Sequence, residues 1–168
     1  QLALLDANEL RREVNSDRYV GGLLDRSGGH IHPLNLALGE AEAIRLNGGR
    51  VYEQSPVTHI AHTSPAVVTT EKGQVTARYV IVAGNAYLGD KLEPALAKRS
   101  MPCGTQVVTT APLGDEVARS LLPNNYCVED CNYLLDYYRL TADNRLLYGG
   151  GVVYGARDPD DIERLVVP

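Results

Sequence analysis

The chain has 168 residues, 44% of them hydrophobic, which is the size and apolar content of one ordinary domain with a real core, not of a disordered or fibrous protein. A formal net charge of −5 argues against a surface that grips nucleic acid electrostatically. No apolar run approaches the ~20 residues of a membrane span, and no basic-then-apolar leader opens the sequence.

In chain order, Asp6 followed by Glu9 reads as a capping box, and Leu10 and Val14 support a short helix over 7–14. Tyr19, Val20, Leu23 and Leu24 read as a strand interrupted by Gly21 and Gly22 and closed by a polar turn from Asp25 to Gly29. Pro33 opens the clearest helix, with Leu34, Ala37, Leu38, Ala41 and Ile44 at helical spacing and Gly48 and Gly49 as its stop. Period two then predicts strands over 50–53, 57–61, 66–70 and 74–83, turned at Ser64-Pro65 and Glu71-Lys72-Gly73. Within the last of these, Tyr79, Val80, Ile81, Val82 and Ala83 do not alternate with polar residues, the mark of a strand covered on both faces. It ends at Gly84, which permits positive φ or a close approach to the backbone.

A loop-like stretch through Pro94 leads to a second β-rich section with strands over 105–110, 133–141 and 145–148 and a short helix over 115–122. Ala142-Asp143-Asn144 joins the last two strands as a hairpin. Asp160, Asp161 and Glu163 precede Leu165, Val166 and Val167 as a helix start cut off, while Leu2, Leu4 and Leu5 have no evident partner. The chain therefore reads as an internal fragment whose apolar ends, Leu2 to Leu5 and Leu165 to Val167, would swap or oligomerise.

Three constellations point toward chemistry. His30-x-His32 has the spacing of a metal-ligating pair on one strand face, as in amidohydrolase barrels, against plain turn chemistry ahead of a helix. Such a barrel needs more ligands and length than His59 and His62 supply, so no metal is assigned. Cys103, Cys127 and Cys131 form no Cys-x-x-Cys pair and have no base beside them, which predicts buried or unreactive free thiols in a reducing cytoplasm. None of the 16 glycines falls in Gly-x-Gly-x-x-Gly or a Walker pattern, and Gly149-Gly150-Gly151 reads as a bulge or as a floor for a flat ligand. Ten tyrosines carry all the aromatic content, which suits packing in sheets ahead of a binding surface. On residues alone the fold class is α+β, and a non-catalytic interaction module whose glycines are purely conformational stands beside an enzyme.

The segments GGLLDRSGGHIHPLNLALGEA, VIVAGNAYLG, SMPCGTQV and YCVEDCNYLLDYYRLT, in that order, resemble the middle of FAD-dependent amine oxidoreductases, the family of D-amino acid oxidase, glycine oxidase and sarcosine oxidase. The resemblance implies a partial Rossmann-like FAD-binding portion over 1–90 that lacks its first βαβ unit. It implies a mixed, mostly antiparallel substrate-domain sheet with helices over 91–168, the whole forming two domains or one compact unit. FAD would belong to the longer parent, with the backbone of Val57 at its adenine end and Ala83, Gly84 and Asn85 along the dinucleotide. Tyr133, Leu135, Tyr137 and Arg139 would share the face of a strand roofing the substrate pocket, where Tyr137 and Arg139 meet a polar substrate head. A cross-strand packing ladder with a solvated arginine is the competing account.

The parent's implied reaction is oxidation of an amine C–N bond with hydride passing to the flavin, then hydrolysis of the imine to aldehyde and ammonia, with oxygen as acceptor. The isolated piece is expected to bind FAD feebly and to be inactive. Its setting would be cytoplasmic, its partner a small-molecule amine, with neither nucleic acid nor membrane.

Overall fold

The structure is a computed structural model that describes residues 2–88 and 91–154, the side chains of Val153 and Tyr154 excepted. The helix start read near the C-terminus, with Leu165 to Val167, lies outside the described residues. These residues divide into two compact units, one made of residues 2–31 with Gly104–Val153 and one of His32–Cys103 with Tyr154. The expected boundary near residue 90 does not coincide with this division. The reason is a shared core: Val14 from the N-terminal segment clusters with Ala118, Leu122 and Leu140, which pulls the first residues onto the C-terminal sheet.

In the first unit, β1 (Leu2–Asp6) pairs antiparallel with β2 (Gly21–Asp25), from Leu2 opposite Asp25 to Asp6 opposite Gly21. β1 has no counterpart among the predicted strands. Pairing engages the backbone groups on its β2 side and leaves the Leu2 and Leu4 side chains exposed. Helix α1 (Ala7–Glu13) follows directly, and the capping box forms: the Asp6 carboxylate accepts from Asn8 N and Glu9 N at 2.8 Å each, and Glu9 Oε2 accepts from Asp6 N at 3.0 Å. Asn15 N then donates to Leu121 O at 3.0 Å, tying the end of α1 to α4 (Asp115–Leu121).

The sheet of this unit contains β6 (Cys103–Thr109), β7 (Val128–Glu129), β8 (Tyr137–Leu140) and β9 (Leu146–Tyr154) in the order β6-β9-β8-β7. The predicted hairpin closes β8 onto β9, with Thr141 N donating to Arg145 O at 2.9 Å and Asn144 at φ 59°. Alternation along β8 sends Tyr138 and Leu140 into the core with Val14, Leu122 and Leu146, and therefore Tyr137 and Arg139 to the opposite face.

Two predicted strands of this sheet change most in length. The one expected over 133–141 starts only at Tyr137, because Asp130 Oδ1 accepts from Asn132 N at 3.1 Å and Asp136 N at 3.0 Å and folds the intervening residues into a loop. Desolvation opposes ionisation of Asp130, yet these donors outweigh it and hold its carboxyl below the usual range. The strand expected over 145–148 runs on instead through Gly149, Gly150 and Gly151, the last at φ 68°.

In the second unit, α2 (Pro33–Leu46) starts where predicted, with Pro33 in its first turn. None of its residues is buried; Leu34, Leu38 and Ile44 present an exposed apolar stripe. Strands β3 (Val57–Ala61), β4 (Ala66–Thr70) and β5 (Gly73–Ala77) form an antiparallel meander with an irregularity between Val57 and His59, and Ile60 is buried. Residues 50–53, expected as a strand, are irregular.

The strand expected over 74–83 stops at Ala77, and the doubly covered run beyond it is open: Tyr79 is 85% and Ile81 91% exposed. No described strand lies beside Tyr79 to Ala83 to take up its backbone hydrogen bonds. A single 3-10 turn (Asn85–Tyr87) and a short helix α3 (Pro94–Ala97) follow. Among the described residues no helix is long and apolar enough to cross a membrane.

Candidate functional site

On the face of β8 turned away from the core, Tyr137 sits opposite Gly149 of β9, and a Cβ built on Gly149 would overlap the Tyr137 ring. Only glycine lets that ring lie across the neighbouring strand. Two residues along, Arg139 is half-buried, and its Nη1 donates to His30 Nδ1 at 2.8 Å. His30 Nε2 lies 2.8 Å from the carbonyl oxygen of Asn125. A guanidinium can only donate, so Nδ1 is the acceptor and the ring proton resides on Nε2, where it meets the carbonyl. Nearby in sequence, Arg26 Nη1 donates to the Tyr126 hydroxyl at 2.9 Å. Among the described residues no carboxylate forms an ion pair with Arg139.

This geometry gives both histidines of the His-x-His pair protein partners. Both ring nitrogens of His30 are committed to protein partners, and His32 caps α2, its Nδ1 accepting from Asn35 N at 3.3 Å. His62 is spent on Glu93, 2.8 Å away. Among the described residues no three His, Cys, Asp or Glu side chains gather as a metal would require. All three cysteines are free, as expected, and exposed rather than buried. Tyr133 and Leu135, predicted to share the face with Tyr137 and Arg139, belong instead to the loop folded by Asp130.

The other face of β8 carries a tyrosine network that sequence reasoning missed. The Tyr138 hydroxyl donates to that of Tyr19 at 3.0 Å, and the Tyr138 and Tyr148 rings stack at 6.0 Å between centroids. Arg18 and Asp136 pair at 3.2 Å, and these five side chains border a cleft of about 230 Å³. Burial, then the Tyr19 hydroxyl, raises the Tyr138 phenol. Burial and the Asp136 carboxylate push Tyr148 up to about 12. The available signal was the alternation of Tyr138 with Leu140, which marks the inward face.

The residues expected to meet a dinucleotide lie in the second unit. Val57 opens β3 beside the irregularity in its pairing, and Ala83 is exposed. Gly84 has φ −80°, so positive φ is not its reason; a Cβ there would come 3.1 Å from Leu88 Cδ1 and 3.2 Å from Leu88 Cα. The left-handed conformation falls one residue later, at Asn85 with φ 46°, whose Oδ1 accepts from Ala86 N at 2.8 Å. From Tyr79 to Ala83 the backbone makes no hydrogen bond to another described residue. Open N–H and carbonyl groups of this kind can bond either a neighbouring strand or a ligand, and at the exposed end of the run, Ala83, they fit the polar groups of a nucleotide.

Comparison with known proteins gives a consistent result. The family described as FAD dependent oxidoreductase (DAO) matches residues 1–166. The chain is 83% identical to the gamma-glutamylputrescine oxidoreductase of Escherichia coli (strain K12) across its whole length, which is 39% of that protein. It is 42% identical to a probable oxidoreductase, OrdL, of Haemophilus influenzae, over 88% of this chain and 35% of that one. The crystal structure of glycine oxidase from Geobacillus kaustophilus shares the fold, with a TM-score of 0.71 at 20% identity, covering 99% of this chain and 48% of that one. The chain thus spans less than half the length of these relatives, and its mixture of helices with antiparallel sheets has the expected α+β character. It belongs to the family of FAD-dependent oxidoreductases typified by D-amino acid oxidase.

Proposed function

We propose that the chain is a segment of a flavoenzyme that oxidises gamma-glutamylputrescine, the compound named for the relative that is 83% identical over the whole chain. Arg139 is the observation within the structure that supports this most. It is a half-buried guanidinium beside Tyr137, held by an uncharged partner and lacking a carboxylate among the described residues. Such a group favours an anionic ligand, and a gamma-glutamyl group carries an α-carboxylate.

In this reading Arg139 takes the substrate carboxylate and Tyr137 supplies an aromatic wall next to it. Val57, Ala83, Gly84 and Asn85 would hold FAD through their backbone; FAD, when bound, would supply the acceptor for hydride from the amine-bearing carbon, and the amine, losing a proton as well, would leave as an imine that water hydrolyses to an aldehyde and ammonia. The unit of His32–Cys103 would be the FAD-binding portion and the unit containing the β6-β9-β8-β7 sheet the substrate portion. The exposed stripe of α2 and the open run Tyr79 to Ala83 are the surfaces that a first βαβ unit would cover. Three exposed free thiols fit a reducing cytoplasm, and Leu2 and Leu4 on β1 offer an apolar edge for association.

The test is to load the whole protein containing this chain with FAD and add gamma-glutamylputrescine without oxygen. Bleaching of the oxidised flavin band is expected. A flavin left oxidised by this amine, in a protein that is reduced by a different amine, would assign another substrate.

A further inference from the structure

We infer that His30 is a positioning residue for Arg139: it holds the guanidinium in the orientation that receives a substrate carboxylate, without cancelling its charge. This inference rests on the reading of Arg139 given under Proposed function. Its own ground is a relay of hydrogen bonds that begins in the core. Leu122, 2% exposed, fixes the end of α4, and its carbonyl accepts from Asn125 N at 3.0 Å. Asn125 adopts φ 52°, a left-handed conformation that asparagine tolerates and that helps set the direction of its own carbonyl. That carbonyl takes the Nε2 proton of His30 and thereby leaves Nδ1 as a lone-pair acceptor aimed at Arg139 Nη1. The 25–30 turn is fixed a second time by the Arg26 to Tyr126 bond and a third by Asp25, whose Oδ1 accepts from Ser27 N at 2.8 Å.

The choice of partner matters. A carboxylate beside Arg139 would orient the guanidinium equally well but would neutralise it, and a second carboxylate from substrate would then be repelled. An imidazole in this tautomer orients by accepting one hydrogen bond and leaves the positive charge and the remaining N–H donors for the ligand.

The experiment uses the whole FAD-loaded protein and two amines, gamma-glutamylputrescine and putrescine, which lacks the carboxylate. His30→Ala should raise KM for gamma-glutamylputrescine about tenfold with kcat within about twofold, and leave kcat/KM for putrescine unchanged. His30→Asn, whose Oδ1 takes the place of Nδ1, should recover most of the loss. His30→Gln keeps a donor for Asn125 but has no acceptor facing Arg139, and should behave like His30→Ala. Equal losses on both amines, or recovery by Gln and not by Asn, would show that His30 merely pins its turn. Arg139→Met separates the two levels: an unchanged KM would sink the reading of Arg139 itself, whereas a raised KM with His30→Ala silent would sink only the positioning role. Nitrogen-15 NMR of the imidazole supplies a readout that needs no variant. Protonation at Nε2 alone is expected, and a proton found on Nδ1 would overturn the inference even if every variant at 30 failed to fold.

Discussion

Tyr137 and Gly149 face each other across β8 and β9, and the tyrosine ring occupies the space that a side chain at 149 would need. The glycine is therefore a packing partner of the aromatic ring and not a floor for a flat ligand. Gly149→Ala forces either the ring or the strand to move, an overpacking that should cost about 1–3 kcal/mol in chemical denaturation. In a Tyr137→Ala background the same change should cost less than about half as much, because the obstruction has gone. Equal costs in the two backgrounds would mean that the glycine answers to something other than the ring.

The cap on α1 is a second place where a small number of atoms carries measurable stability. Asp6 accepts from two backbone donors of the first turn and Glu9 returns the bond to Asp6 N. Asp6→Ala should destabilise the first unit by about 1 kcal/mol, within the range of about 0.5–2 found for such caps, while Asp6→Asn retains most of it. Urea midpoints of the three proteins, measured with equal slopes, check the order.

Features written into neighbouring residues were legible in the sequence, and features that depend on distant surface were not. The Asp6/Glu9 box, the proline-led α2 and the Ala142 to Asn144 hairpin are local agreements of turn chemistry with periodicity, and each appears where predicted. The run Tyr79 to Ala83 has the composition of a buried strand, but strand formation needs a neighbour to bond, and none of the described residues provides one. Residues 133–136 carry strand-like letters, but a single carboxylate, Asp130, accepts from two backbone N–H groups and folds them into a loop. At the candidate site the alternation of β8 placed Tyr137 and Arg139 on one face. The bond from Arg139 to His30 spans more than a hundred residues, and no spacing rule could have shown it.

Alkali should find a specific weakness in the first unit. Burial raises both Tyr138 and Tyr148 above the ordinary phenol value near 10, the latter to about 12, with the Tyr19 hydroxyl and the Asp136 carboxylate adding to the effect. The folded state thus holds these protons more tightly than the unfolded state does. The stabilisation is fully present below pH ~10 and is lost as pH rises from there through about 12, because the unfolded phenols ionise first. Melting temperature should fall over that window, and Tyr148→Phe combined with Tyr138→Phe should flatten the fall. An unchanged slope in the double variant would place the alkaline sensitivity elsewhere.

Gly84 admits two physical explanations that one substitution can separate. Within the unit, its missing Cβ makes room for Leu88, whose Cδ1 and Cα would stand 3.1 and 3.2 Å from it. In the proposed flavoenzyme the same bare backbone also lets the dinucleotide lie close to Ala83 and Asn85. Crowding by Leu88 is present whether or not FAD is bound, so Gly84→Ala should lower the stability of the FAD-free whole protein, and this part alone can be eased by Leu88→Ala. Contact with FAD is lost only in the bound state, so Gly84→Ala should also raise the FAD dissociation constant by about tenfold, equivalent to ~1.4 kcal/mol, and Leu88→Ala should not restore it. Fluorescence titration of the FAD-free protein with the cofactor, alongside denaturation of the same samples, measures both quantities. Reduced stability with an unchanged dissociation constant would assign the glycine wholly to its own turn and withdraw residues 83–85 from the cofactor site.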